Sequence, residues 1–273
     1  MRIKSCFFIL LAWLAFVPSV TAAPPKRPNP PPPAPCPAWS YDFGSGSIDP
    51  NIWVIANGRA PGYIAGSHIG YYDPNHVKVV NGYLQILLTQ QTGVVDGNNG
   101  YISYGGLIYT KKTCGYGTYQ WTMRMSSTSS TPSGSGAWVS GSVSAGFLYV
   151  NNSETEIDFE YSAASPQYVW AVNWLNTNPR RDPSSSMETA TAVNWPVATA
   201  YPEHTYTFVW APGIITFYFD GALVATHTTD VPSAPAYFMI NHWGTNSPNW
   251  GGLATPGTNR YFYVKSASYT PPN

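Results

Sequence analysis

The sequence predicts an all-β protein, a β-sandwich jelly roll of two antiparallel sheets. Three observations carry this. Short runs rich in β-branched and aromatic residues recur from Val77 to Lys265, separated by Gly, Pro, Asn and Asp. No stretch sustains a helical period. The dipeptides Asn81-Gly82 and Asp220-Gly221 carry the chemistry of tight hairpin turns.

Taken from the start, residues 1–22 read as an export leader. Arg2 and Lys4 give the positive end, Phe7 to Val17 the apolar run, and Val20-Thr21-Ala22 a small-residue cleavage site. The run is too short for a membrane-spanning helix, and no second long apolar run follows. The expectation is a secreted protein, extracellular or periplasmic, with no membrane partner. Residues 23–37 are Pro-rich and read as a polyproline II spacer. The folded domain is expected over 38–273, starting near Trp39. Cys6 leaves with the leader, which leaves Cys36 and Cys114. An oxidising compartment lets them pair, and the expected disulfide ties the start of the domain to an inner strand.

The expected strands follow in order. They are Val77–Val80, Tyr83–Leu88, Gly106–Tyr109, Gly117–Met125, Ala145–Val150, Tyr168–Trp174, His204–Trp210, Ile214–Phe219 and Tyr261–Lys265. Ser126 to Gly141 is rich in Ser, Gly and Thr and reads as a loop, mobile or at a cleft rim. Asn151-Asn152-Ser153 is a formal glycosylation sequon.

Charge narrows the partners. Lys plus Arg equals Asp plus Glu, at 13 each, and 10% of residues are charged. That balance argues against nucleic acid or an anionic membrane. Aromatics reach 15%, with 11 Trp and 20 Tyr. Aromatic core strands account for some of them, and rings that stack on sugar faces account for others.

The chemistry concentrates in Glu156-Ile157-Asp158-Phe159-Glu160. On a strand, alternate side chains share a face, so the three carboxylates line one side while Ile157 and Phe159 point into a core. Like charges repel, so a bare fold has no reason for this row. A sugar-cleaving site has one: it needs a carboxylate as nucleophile or base and a carboxylic acid as proton donor. Glu156 and Glu160 lie about 13 Å apart at Cα, a gap that converging side chains can narrow. Spacing alone leaves retention and inversion both open. A solvated strand face or an oxygen-built calcium site are the plainer alternatives.

Further segments agree with one family. Glu156-Ile-Asp-Phe-Glu160, Gly115-Tyr-Gly-Thr-Tyr119, His204-Thr-Tyr-Thr-Phe-Val-Trp210, Trp210 through Asp220-Gly221, and Asn241-His-Trp243 occur in the order found in glycoside hydrolase family 16. Together they resemble its concanavalin-like jelly roll over nearly everything from Trp39 to Tyr269. The resemblance implies a substrate cleft on the concave face and retaining double displacement. It implies Glu156 as nucleophile, Glu160 as general acid/base and Asp158 as assisting carboxylate. It also implies sugar contacts from Asn241 and Trp243, from Asn173 and Trp174 after the catalytic strand, and from Phe147 and Tyr149 just before it. The partner would be a polysaccharide or oligosaccharide, and the expected state is a monomer. Between Asp158 and Glu160 there is a single residue, which resembles the unbulged branch holding lichenases (endo-β-1,3-1,4-glucanases) and xyloglucan transglycosylases.

Some positions depart from the family. Leu107 and Tyr109 stand where lichenases carry Glu and Arg, and Thr155 stands where Asp is frequent. Phe262 aligns with a metal-binding Asp and cannot ligate calcium, so no metal or other cofactor is expected. His68, His76 and His227 show no metal-ligand spacing. His204 reads as structural, and His242 lies in the cleft segment within reach of substrate. Two rivals to endo-hydrolysis of a β-glucan remain: transglycosylation on β-glucan or xyloglucan, and a non-catalytic sugar-binding jelly roll.

Overall fold

The structure is a computed structural model and describes residues 36–181, 183–194 and 203–272. The expected leader and, apart from Cys36 and Pro37, the expected spacer lie outside the described residues. The strands in chain order are β1 (Trp39–Asp42), β2 (Trp53–Ile55), β3 (Gly58–Arg59), β4 (His68–Tyr72), β5 (Val77–Val80), β6 (Tyr83–Val95), β7 (Asn98–Cys114), β8 (Gly117–Ser127) and β9 (Ser142–Val150). They continue as β10 (Thr155–Ser162), β11 (Tyr168–Asn176), β12 (Ser186–Asn194), β13 (His204–Ala211), β14 (Ile214–Phe219), β15 (Ala222–His227), β16 (Ala236–Gly244) and β17 (Arg260–Thr270). Among the described residues, helix is confined to three short 3-10 turns.

Two antiparallel sheets face each other. One runs β2-β7-β16-β9-β10-β11-β12. The other runs β5-β6-β17-β8-β13-β14-β15, with β1 sharing an edge of β17. The long β6–β7 hairpin belongs to both and, with β3 and β4, forms a small third sheet. There β4 and β7 pair in parallel, a feature beyond the two antiparallel sheets expected.

Turn chemistry fixes the hairpins. Asn81 and Gly82 sit at φ 53° and 78°, and Asp220 and Gly221 at 48° and 80°. Positive φ at both central residues gives a two-residue turn whose twist matches its strands. Asp96-Gly97, at 50° and 82°, makes the same turn between β6 and β7. Cys36 and Cys114 are disulfide-bonded with Cα atoms 5.4 Å apart, joining the segment before β1 to the end of β7. Trp39, just after Cys36, then packs its ring 5.0 Å from Phe238.

The core fills the space between the sheets with aromatic rings. Trp121 of β8 stacks on Phe238 of β16, with centroids 4.3 Å apart. Phe159 of β10 meets Phe217 of β14 and Tyr206 of β13 edge-on at 5.4 and 5.3 Å. Ile157, Phe159 and Tyr161 are fully buried in this core. Such pairs add to the stabilisation from area burial alone. Gly146 of β9 lies beneath Trp121, and a Cβ there would sit 2.8 Å from the indole.

The loop after β8 is held rather than loose. Arg124 is buried and donates to the carbonyls of Thr131, at 3.1 Å, and Pro132, at 2.6 Å. Tyr263 donates its hydroxyl to Ser129 O at 3.1 Å. Phe262 is buried in the core. No described helix is long and apolar enough to cross a membrane.

Because the indole against Gly146 is rigid, Gly146→Ala is expected to cost about 1–3 kcal/mol through overpacking. Urea unfolding followed by tryptophan fluorescence measures this. An unchanged midpoint would show that the sheets separate without penalty.

Candidate active site

The site is built from strand parity. In register, Glu156 lies opposite Tyr149 of β9 and Trp174 of β11. Asp158 lies opposite Phe147 and Val172, and Glu160 opposite Ala145 and Trp170. One strand further, β16 continues these rows with Tyr237, Met239 and Asn241, and Trp243 follows beside Val143. β7 adds Tyr109 next to Met239 and Leu107 next to Asn241. Neither pairing of β10 breaks register between residues 156 and 160, so the strand is unbulged as expected.

Most of these residues line a groove of about 800 Å³. The three carboxylates are at its floor, with Ala145, Phe147 and Tyr149 beside them. Leu107, Met239, Asn241 and Trp243 line one side, and Val172, Trp174 and Glu188 the other. Pro61, Tyr72 and Trp250 also line it, as do Asn152 and Ser153 of the turn between β9 and β10. Tyr109 and Tyr237 pack edge-on at 5.8 Å in the apolar cluster that includes Phe147 and Met239.

The structure does not bring Asn173 to this groove, which corrects the expectation for that residue. Asn173 is opposite Ile157, so it shares the parity of the core residues and not of Glu156. It is fully buried, donates to the carbonyls of Thr229 and Asp230 at 3.2 and 2.8 Å, and bonds His227 at 2.7 Å. His242 is turned inward for the same reason. Its ring nitrogens meet Ile86 O and the Ser126 hydroxyl, each at 2.9 Å, and burial pushes its pKa down to about 3.

Asn241 does reach the groove. Its amide nitrogen donates to the Tyr72 hydroxyl at 3.3 Å, while its carbonyl oxygen is buried without a partner among the described residues. A buried carbonyl left open carries a desolvation cost that a sugar hydroxyl could remove.

Electrostatics sort the carboxylates. Burial raises all three. Glu160 is pushed up to about 8, by desolvation first and then by the charges of Glu156 and Glu188. Glu156 reaches about 7, because the Ser153 hydroxyl donates to its Oε2 and offsets part of the burial. Asp158, 3% exposed between them, is raised well above the ordinary carboxylate range by burial and by its acidic neighbours. Its Oδ2 has no partner among the described residues. Glu188 of β12, two strands away beside Trp174, is raised by burial and adds its field to all three. The cluster therefore retains protons near neutrality.

Sequence reasoning missed Glu188, Tyr72 and Trp250. Ser186–Asn194 is a mostly polar strand with little apolar alternation, so neither β12 nor the register of Glu188 stood out. Tyr72 and Trp250 enter from the strand β4 and the loop after β16, far from the motif in sequence.

Fold and site together define a jelly-roll sandwich with a carboxylate-floored, aromatic-lined groove. The chain belongs to the glycosyl hydrolases family 16, whose family model matches residues 67–259. It is 33% identical over 146 residues to the beta-glucanase of Bacillus amyloliquefaciens, covering 52% of this chain and 53% of that protein. It is 29% identical over 205 residues to a beta-glucanase of Acetivibrio thermocellus, covering 71% and 53% respectively. The chain thus spans about half the length of these curated relatives. In fold it is similar to a prokaryotic beta-1,3-1,4-glucanase (lichenase) derived from a mouse hindgut metagenome. That match has TM-score 0.67 at 21% identity, covering 87% of this chain and all of that one.

The raised pKa values make a stability prediction. For Glu160 the folded value of about 8 exceeds the ordinary 4.5, so the stability held below pH 4.5 is lost as pH rises through about 8. Glu160→Gln removes that loss. Its melting temperature should gain on wild type from pH 4.5 to pH 8, by about 2–4 °C for each kcal/mol relieved. Scanning calorimetry at both pH values measures it, and parallel curves for the two proteins would contradict it.

Proposed function

We propose that this chain is a secreted, endo-acting glycoside hydrolase that cleaves internal β-glycosidic bonds of a β-glucan with retention. The observation that carries this is the placement of Glu156, Asp158 and Glu160 on one face of an unbulged strand at the floor of the groove. The groove crosses β7, β16, β9, β10, β11 and β12, which suits a chain bound along its length rather than by its end. The beta-glucanase relatives favour a β-glucan, and the similar lichenase fold favours mixed β-1,3-1,4 linkages. Export to an extracellular or periplasmic space is supported by the leader-like residues 1–22 and the Cys36–Cys114 bond.

The chemistry follows from the environments. Glu160, with its pKa near 8, holds a proton at neutral pH and donates it to the leaving glycosidic oxygen. Glu156, with the Ser153 bond favouring its charged form, attacks the anomeric carbon and forms the glycosyl-enzyme. Glu160, now ionised, takes a proton from water, which releases the sugar from Glu156. Asp158, buried between them and raised well above the ordinary carboxylate range, stays protonated, so that a third charge does not accumulate. Transfer to a second sugar instead of water is a secondary reading, favoured by the Trp174 and Trp243 rings on opposite sides of the carboxylates. Products that lengthen when an acceptor oligosaccharide is added would identify it.

The test is hydrolysis of barley glucan, lichenan, laminarin and xyloglucan, with product linkage analysis. Glu156→Gln is expected to lower turnover at least about a thousandfold while the fold persists. Near-normal activity of this variant on every substrate would refute the assignment. In wild type, kcat/KM should trace a narrow bell, rising with a midpoint near pH 7 and falling near pH 8. Activity that stays flat from pH 5 to 9 would contradict the acid and nucleophile roles.

A further inference from the structure

The turn between β9 and β10 carries a run of left-handed backbone. Asn151, Asn152 and Ser153 lie consecutively at φ 45°, 56° and 62°. Single non-glycine residues visit this left-handed region at a cost, and three in a row are unusual. Neighbouring groups hold the turn in place. Asn176, at the end of β11, donates its backbone N–H to Ser153 O at 2.7 Å and its side-chain amide to Asn152 O at 2.9 Å. The Asn176 side chain is itself fixed, because its Oδ1 accepts from Asn178 N at 2.9 Å and from the Ser185 hydroxyl. Within the turn, Glu154 N donates to Asn151 O at 3.2 Å, and Asn151 Nδ2 donates to Glu154 Oε2 at 2.9 Å. This bracing delivers Ser153 to the groove wall, where its hydroxyl donates to Oε2 of Glu156.

We infer that Ser153 is a positioning residue for Glu156: the strained turn holds its hydroxyl on one carboxylate oxygen, fixing the rotamer so that the other oxygen faces the groove. The inference rests on the nucleophile role proposed for Glu156. A carboxylate flanked by other acids tends to swing away from them or to take up a proton. A donor held rigidly on one oxygen opposes both, and it does so without adding a competing positive charge. The groups facing Glu156 are Asp158 and Glu160 on its own strand, Tyr149 from β9 and Glu188 from β12. None of these is a cation, which leaves the hydroxyl as the group that favours the ionised form.

Two variants separate positioning from turn structure. Ser153→Ala removes the hydroxyl and keeps the backbone strain. Ser153→Gly removes the hydroxyl and relieves the strain. The primary readout is the titration of the Glu156 carboxyl by 13C NMR on glutamate-labelled protein, with the resonance assigned by its loss in Glu156→Gln. Both variants should titrate about one pH unit higher than wild type. The acidic limb of kcat/KM should move with it, lowering activity about tenfold on the acid side of the profile. The glycine variant should melt at or above the wild-type temperature. Titration curves that match wild type in both variants, or a shift confined to the alanine variant, would overturn the inference. Failure of wild type to cleave any β-glucan would instead refute the proposed function, while the NMR titration would still report on Ser153.

Discussion

Alternation along β10 is the constraint on which the site depends. Ile157, Phe159 and Tyr161 are fully buried, Phe159 among rings of β13 and β14 in the opposite sheet, so the strand cannot slip by one residue without exposing all three. That register commits Glu156, Asp158 and Glu160 to the other face. Apolar burial on one side therefore provides the force that assembles repelling carboxylates on the other. Gly146 serves the same end, since it lets Trp121 pack against β9 and brings the sheets into contact beneath the groove.

Desolvation then sets the protonation of the row. Carboxylates at the floor of an aromatic groove lose water, and each ionisation makes the next harder. Left alone, such a row would simply stay protonated at neutral pH. The asymmetry between its two ends comes from Ser153, which donates to Glu156 at the β9–β10 turn, whereas Glu160 has no comparable donor among the described residues and faces Ala145 and Trp170. One residue is thereby eased toward the charged form and the other held in the acid form, although both occupy the same strand. The backbone strain of residues 151–153 and the stability lost with rising pH are two costs of the same arrangement.

Much of this was legible in the sequence because its signals were local. Period-two patterning around residue 156 gave the strand, its inward and outward faces and the carboxylate row. Asn-Gly and Asp-Gly gave the hairpins, and the two cysteines left after the leader gave the disulfide. What escaped was relational. Asn173 and Trp174 are neighbours in sequence, yet parity sends one to the core and the other to the groove, and without the β10–β11 register nothing distinguishes them. His242 beside Asn241 fails in the same way. Glu188 sits on a polar strand that periodicity does not flag, and its influence exists only because β11 lies between it and Glu156. The left-handed run at residues 151–153 reads in sequence only as a sequon.

In the proposed reaction one strand face divides its labour between a nucleophile at residue 156 and a proton donor at residue 160. The most direct measurement is trapping with a 2-deoxy-2-fluoro β-glucan oligosaccharide bearing an activated leaving group, followed by mass spectrometry of the proteolysed protein. The account predicts one glycosyl group esterified to Glu156. A label on Glu160, or products released with inverted anomeric configuration and no label at all, would contradict it.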